Sequence, residues 1–204
     1  MTENPSDSTA SPQAKLAAPG AGLPFLQALA LRHVLFPAFC RKTSWDEALA
    51  LFLREGETVA AAAQSLSDQA LRTRVLIRAP MGIEDSSRYW SAAMVLEHLI
   101  EVGSRVATGV VELTHSRAVS VKADIADVKP KGRNGTDIVA AYRAFLADYQ
   151  DKLLRQTGHR DARGTAPHPW FGDLTAQRWV CLGAIHQQIH RRQMQRIIAG
   201  LPQG

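Results

Sequence analysis

Cysteine is nearly absent from this chain. Its 204 residues contain only Cys40 and Cys181, far apart in sequence. Two thiols cannot build a disulfide framework or a four-thiolate zinc site. If a metal is bound, nitrogen ligands are therefore expected. Long apolar runs are also lacking. The most apolar stretch, residues 23–39, is interrupted by Arg32, His33 and Pro37, whereas a membrane-spanning helix needs about 20 apolar residues. The first 22 residues carry Glu3 and Asp7 against a single basic residue, Lys15, which does not fit an export signal. No membrane contact is expected, and the cytoplasm is the expected compartment. A strong charge of one sign is missing too: 24 basic residues stand against 19 acidic ones, for a net charge of +5. The basic clusters fall in expected loops and helix ends, so nucleic acid is not an expected partner. No nucleophile elbow, glycine-rich phosphate loop or HExxH motif occurs.

What remains is an ordinary globular composition, 46% hydrophobic and 21% charged, with seven histidines. Residues 1–22 are rich in Ala, Ser, Thr, Pro and Gly. They offer too little apolar surface to offset ordering entropy and read as a disordered tail. Residues 23–204 read as a single domain. Pro24 suits the first turn of a helix that Pro37 ends or kinks. Ser44 and Glu47 form a capping box that opens a second helix. Ser67-Asp68 caps a short helical piece. A long helix is expected from Ser86 or Ser87 to about Leu113, with Met94, Val95, Leu99, Val102, Val106 and Val110 spaced by threes and fours along a buried face. Thr136 is expected to cap the next helix, with Ile138, Tyr142, Phe145, Tyr149 and Leu153 as its stripe. Residues 158–169 read as a loop. The last helix is expected from about Thr175 to Gly200, where a Gly-then-Pro stop ends it. Four substantial helices predict an all-α protein: a four-helix bundle, core about 44–200, with extra N-terminal helical elements.

Three histidines fall on buried stripes. His186 and His190 are four residues apart, about one turn, so their imidazoles share a face and can converge on one ion. His98 sits in the core stripe of another helix. Three imidazoles between bundle helices would leave a coordination position open, as in catalytic rather than structural metal sites. The plainer alternative is a set of hydrogen-bonded core histidines, and spacing alone does not bring His98 to the other two.

The surrounding residues carry a resemblance. His168-Pro169-Trp170-Phe171-Gly172-Asp173-Leu174-Thr175 leads into a helix bearing His186-x-x-x-His190-Arg191-x-Gln193, and Trp90-Ser91 precedes Glu97-His98-Leu99. The pattern resembles the DinB/YfiT-like superfamily of helical bundles over about residues 44–200, most specifically in the last 35 of these. The resemblance implies a DinB-like fold and a metal triad at His98, His186 and His190, with Gln193 as the polar residue one turn beyond. It implies a divalent ion, Zn or Ni most often, with Mn or Fe as further options. Arg178 departs from the acidic residue often found near the start of this helix.

Other residues are weaker candidates. Glu101, one turn after His98, is a candidate fourth ligand or base, against the commoner reading of a solvated carboxylate. Glu97 should point away to the surface. His168 is a candidate catalytic residue beside the open coordination face, against the reading of a loop-fixing residue. Trp90, Trp170 and Trp179 read as core or pocket wall. The resemblance implies a metal-dependent enzyme acting on a small-molecule substrate, either a thiol-dependent S-transferase or a hydrolase using metal-bound water. For a transferase, a low-molecular-weight thiol would be the cofactor, with Arg191, Arg192 or Arg196 holding its carboxylate. The alternative from another class is a non-catalytic dimeric scaffold or small-ligand-binding protein, with the N-terminal helix packing across a homodimer.

Overall fold

The computed structural model describes residues 15–121, 125–132 and 137–202. Its core is a bundle of four long helices. The first, α3 (Trp45–Gln64), starts where expected: Ser44 Oγ accepts the Glu47 amide at 3.3 Å, and Glu47 Oε2 accepts the Ser44 amide at 2.8 Å. Two orphan donors of the first turn are thereby satisfied. Before α3 lie α1 (Phe25–Ala30), a π-helical turn (Leu31–Leu35) and α2 (Phe36–Lys42). Pro37 does not end this run. It sits in the first turn of α2, where its missing amide is not needed, and the wider π turn before it accommodates the ring.

Ser67 caps the short α4 (Asp68–Arg72), as the sequence predicts. The chain then makes a two-residue ladder between β1 (Val75–Leu76) and β2 (Tyr89–Trp90), antiparallel, with Val75 opposite Trp90. The long helix α5 runs Ala92–Thr114. Its start is later than Ser86 or Ser87. Those two hydroxyls accept from Lys129 and lie in a 3₁₀ turn, while Ser91 Oγ caps the helix by accepting the Met94 amide. Helix α6 spans Ile138–Arg155; the expected cap at Thr136 lies outside the described residues.

Residues 158–169 are not all loop. Thr165–His168 (β3) pairs antiparallel with Gly172–Thr175 (β4), turning through Pro169, Trp170 and Phe171. Gly172 has φ of 70°, a left-handed conformation that glycine adopts without strain. Thr175 then caps α7 (Ala176–Ala199), which Gly200 ends. Residues 17–22, assigned to the tail on composition, are held by backbone amides rather than apolar side chains: Ala17 donates to Asp85, and Gly20 and Gly22 donate to Glu84. No helix among the described residues is long and apolar enough to cross a membrane.

Each bundle helix packs on two others: α3 against α7 and α6, α5 against the same two. The stripes meet in an aromatic centre, where Phe52 stacks on Tyr149 at 3.7 Å with Phe145 edge-on at 6.1 Å. Close packing requires Gly103, because a Cβ there would lie 2.2 Å from Phe145 Cζ. Gly103→Ala is therefore expected to destabilise by about 1–3 kcal/mol through overpacking. Gly109→Ala, whose Cβ would meet Val119 at an ordinary 3.5 Å, should be neutral or stabilising by helix propensity. Thermal melts of the two variants check the contrast.

Candidate metal centre

The packing of α5 on α7 brings His98 to His186 and His190. Their candidate ligand nitrogens all lie within 4.8 Å of one another. His98 Nε2 and His186 Nε2 are 3.2 Å apart. Metal–nitrogen bonds of 2.0–2.1 Å in tetrahedral geometry place two nitrogens about 3.3 Å apart, so this pair is already at ligand spacing. The ring centroids are 4.4 Å apart for His186–His190 and 4.6 Å for His98–His190.

Two of the rings are oriented by partners on their far side. His98 Nδ1 donates to the Val128 carbonyl at 2.7 Å, which leaves Nε2 as the free lone pair. His190 Nδ1 donates to Gln193 Oε1 at 2.6 Å, and Gln193 Nε2 donates in turn to the Ser87 carbonyl at 2.8 Å. Such outer partners fix tautomer and ring direction in metal sites and raise ligand basicity. Burial also keeps the rings neutral. It holds His98 down to about 4 against a usual 6.5, and it holds His186 and His190 well below the usual value. Three neutral imidazole nitrogens in this arrangement could hold a metal ion.

Trp90 walls the triad, parallel to His190 at 6.2 Å and tilted to His98 at 5.2 Å. Lys129 lies over its ring at 5.6 Å and pairs with the buried Glu84 at 2.7 Å. The Lys129 pairing, with the Gly20 and Gly22 amides, holds the Glu84 carboxyl below its ordinary value although burial opposes this. Glu97 is half-buried, not simply a surface group: it accepts the Lys131 and Gly132 amides at 2.9 and 3.1 Å. These contacts fix the loop that supplies the Val128 carbonyl.

The weaker candidates separate. Glu101 is exposed and absent from the cavity lining; it pairs at 2.7 Å with Arg105 on its own helix, which does line the cavity. Arg191 pairs with the buried Glu55 on α3 and with Gln195 at 3.1 Å, so it ties α7 to α3 rather than facing a ligand. Arg196 donates to the Arg78 carbonyl. Arg192 lines the cavity described next and is exposed. His168, at the end of β3, also lines that cavity, and burial alone holds it down to about 4. Its Nδ1 accepts the Trp170 amide at 3.1 Å, so as a neutral ring it carries its proton on Nε2.

The three imidazoles open onto a cavity of about 810 Å³. Its walls come from α2, α3, α5, α7, the 80–87 loop and the β3–β4 hairpin. Two polar residues in those walls carry unpartnered atoms: Trp179, expected as core or pocket wall, and Gln187, which the sequence did not single out. Trp179 Nε1 and Gln187 Nε2 are buried with no hydrogen-bond partner among the described residues. The backbone carbonyls of Val128 and Ser87 were likewise unforeseen.

The profile of the DinB superfamily matches residues 51–194, a span that holds all three histidines. A solved structure described as TT2238, a four-helix bundle protein, is 22% identical with a TM-score of 0.49, covering 74% of this chain and 98% of that one. No curated protein is similar enough to count as a relative.

Proposed function

The chain belongs to the DinB superfamily, and from that premise we propose that it is a metal-dependent enzyme whose divalent ion is held by His98, His186 and His190. One observation carries the reading. Three neutral imidazoles converge at the wall of a large cavity, two of them with their far nitrogens already committed. An ion held by these three ligands would supply Lewis acidity to a water or thiol. Zn or Ni suits the donor set best, with Mn or Fe as further options.

The chain's own residues then have separate tasks. Gln193 and the Val128 carbonyl hold two rings in their tautomers. The apolar walls exclude water. His168 offers a neutral Nε2–H to an oxygen of the substrate. Arg192 offers a cation to a carboxylate, as a low-molecular-weight thiol cofactor would require. The reaction is transfer of such a thiol to an electrophile, or hydrolysis, on a small-molecule substrate in the cytoplasm. A second reading, a dimeric scaffold, draws on one feature: Phe25, Leu26 and Val34 are 78%, 76% and 60% exposed on the N-terminal helices.

Elemental analysis of protein purified without chelator or nickel resin tests the proposal. One divalent ion per chain is expected, and absence of metal under every loading condition overturns it. In metal-loaded protein, His168→Phe should lower kcat/KM about 100-fold through loss of an electrostatic donor while metal content is unchanged. Turnover of a 4-nitrophenyl ester, or of a thiol with 1-chloro-2,4-dinitrobenzene, reads the effect. Equal turnover by His168→Phe would return His168 to a loop-fixing role.

A further inference from the structure

We infer that the cavity beside the triad takes an apolar acyl or aryl carboxylic compound, one with a hydrocarbon body and hydrogen-bond-accepting oxygens but few donors. The cavity's selectivity does not depend on an ion at the triad, so it stands apart from the proposed function.

Size and wall chemistry set the body. A volume of about 810 Å³ lies toward the upper end for small-molecule sites, about 300–1,000 Å³. Phe36 and Phe39 from α2, Phe52 from α3, Val102 and Val106 from α5 and Leu182 from α7 supply much of the lining. A sugar or nucleotide in such a space would leave hydroxyls without partners, at a cost for each. An acyl chain or aromatic ring would not.

The polar complement of the walls sets the head. Trp179 Nε1 and Gln187 Nε2 are buried donors without an acceptor among the described residues. Gln187 is oriented, since its Oε1 accepts the Tyr142 hydroxyl at 2.8 Å. His168 is a third donor, because its Nδ1 is taken by the Trp170 amide. Arg192 adds a cation at the exposed rim. The one carboxylate in the lining, Glu84, already accepts from Lys129, Ser86 and Gly22. Apart from the triad nitrogens and the Gln188 amide, the walls therefore present unmet donors and a spent acceptor. A ligand that satisfies them brings oxygens, as a carboxylate, ester or amide carbonyl does. An ammonium head finds no free carboxylate to pair with.

Metal-free full-length protein tests the inference without a bound ion. N-phenyl-1-naphthylamine is bound and followed by fluorescence, then displaced by straight-chain carboxylates of six to twelve carbons, by the matching n-alkylamines and by glucosamine. Carboxylate affinity should rise about fourfold per methylene, the ratio that corresponds to about 0.8 kcal/mol per buried CH₂. Carboxylates should exceed amines of equal length at least about tenfold, the loss expected where buried donors stay unpaired, and glucosamine should not compete. Trp179→Phe should narrow the gap between carboxylate and amine while keeping the length dependence. Affinity independent of chain length, or amines equal to carboxylates in the wild-type protein, overturns the inference. Length-dependent binding by a protein that never takes up metal would instead sink the triad reading and leave this one standing. Stoichiometric metal with no chain-length dependence would do the reverse.

Discussion

Replacing His190 with alanine is expected to lower affinity for a divalent ion by more than about 100-fold. The bound is set by the weaker intervention: losing an outer-shell partner of a ligating histidine costs about 10–100-fold, and losing the ligand itself must exceed that. His98 and His186 should behave alike, since the three nitrogens form one cluster. Gln193→Leu is the graded control. It removes the acceptor on His190 Nδ1 and the link to the Ser87 carbonyl while keeping the side chain buried and similar in bulk, so it should fall in the 10–100-fold range. Alanine at a fully packed site also leaves a void, and a variant could lose metal by unfolding. His98→Gln guards against this, because an amide can keep the hydrogen bond to Val128. Competition against a chromogenic chelator, with melting followed by circular dichroism in excess chelator, separates the effects. An alanine variant that keeps stoichiometric, tight metal would show that the ion sits elsewhere.

The parts of the fold that were legible in the sequence are those fixed within one helical turn. The Ser44–Glu47 box and the caps at Ser67 and Thr175 involve residues three apart, and the stop at Gly200 is equally local. His98 and His190 were legible as buried, and His186 as sharing their face, because they keep the period of their neighbours. Their convergence was not, since nothing in the spacing of α5 says that it packs on α7; the family resemblance supplied that step. Glu101 shows how spacing misleads. Three residues from His98 is a net offset of about 60° round the helix, enough to put the carboxylate at the exposed edge of the stripe, where it pairs with Arg105. The two hairpins escaped because strands of two and four residues, one containing Pro167, show no readable alternation. The partners of His98 and Gln193 escaped for a different reason: they are backbone carbonyls of Val128 and Ser87, and a carbonyl is the same in every residue.

Acidification should unfold the metal-free protein well above the range where carboxylates titrate. Burial holds His98 and His168 down to about 4, and His186 and His190 well below their usual value, the last two disfavoured further by neighbouring imidazoles. In the unfolded chain each titrates near 6.5. Above that pH both states carry neutral rings, and the contribution to stability is complete. Below it the unfolded chain takes up protons that the folded chain refuses, so stability falls as pH drops. Each such histidine costs about 1.4 kcal/mol per pH unit, and His98 alone accounts for about 3 kcal/mol by pH 4. Several rings acting together reach the whole stability of a typical domain, about 5–15 kcal/mol. Glu84, whose carboxyl is held below its ordinary value by Lys129, also loses its contribution on acidification, but only at pH values below the histidine window. The urea midpoint should therefore be flat from pH 8 to 7 and fall steeply from pH 6 to 4.5. His168→Phe, which removes one proton-refusing ring outside the triad, should make that fall shallower. Bound metal should raise the midpoint at pH 7 by mass action and lose this advantage in the same window, because protons compete for the same nitrogens. A midpoint that stays constant between pH 7 and 5 would mean that the rings are hydrated, and the dry, neutral triad on which metal binding depends would be wrong.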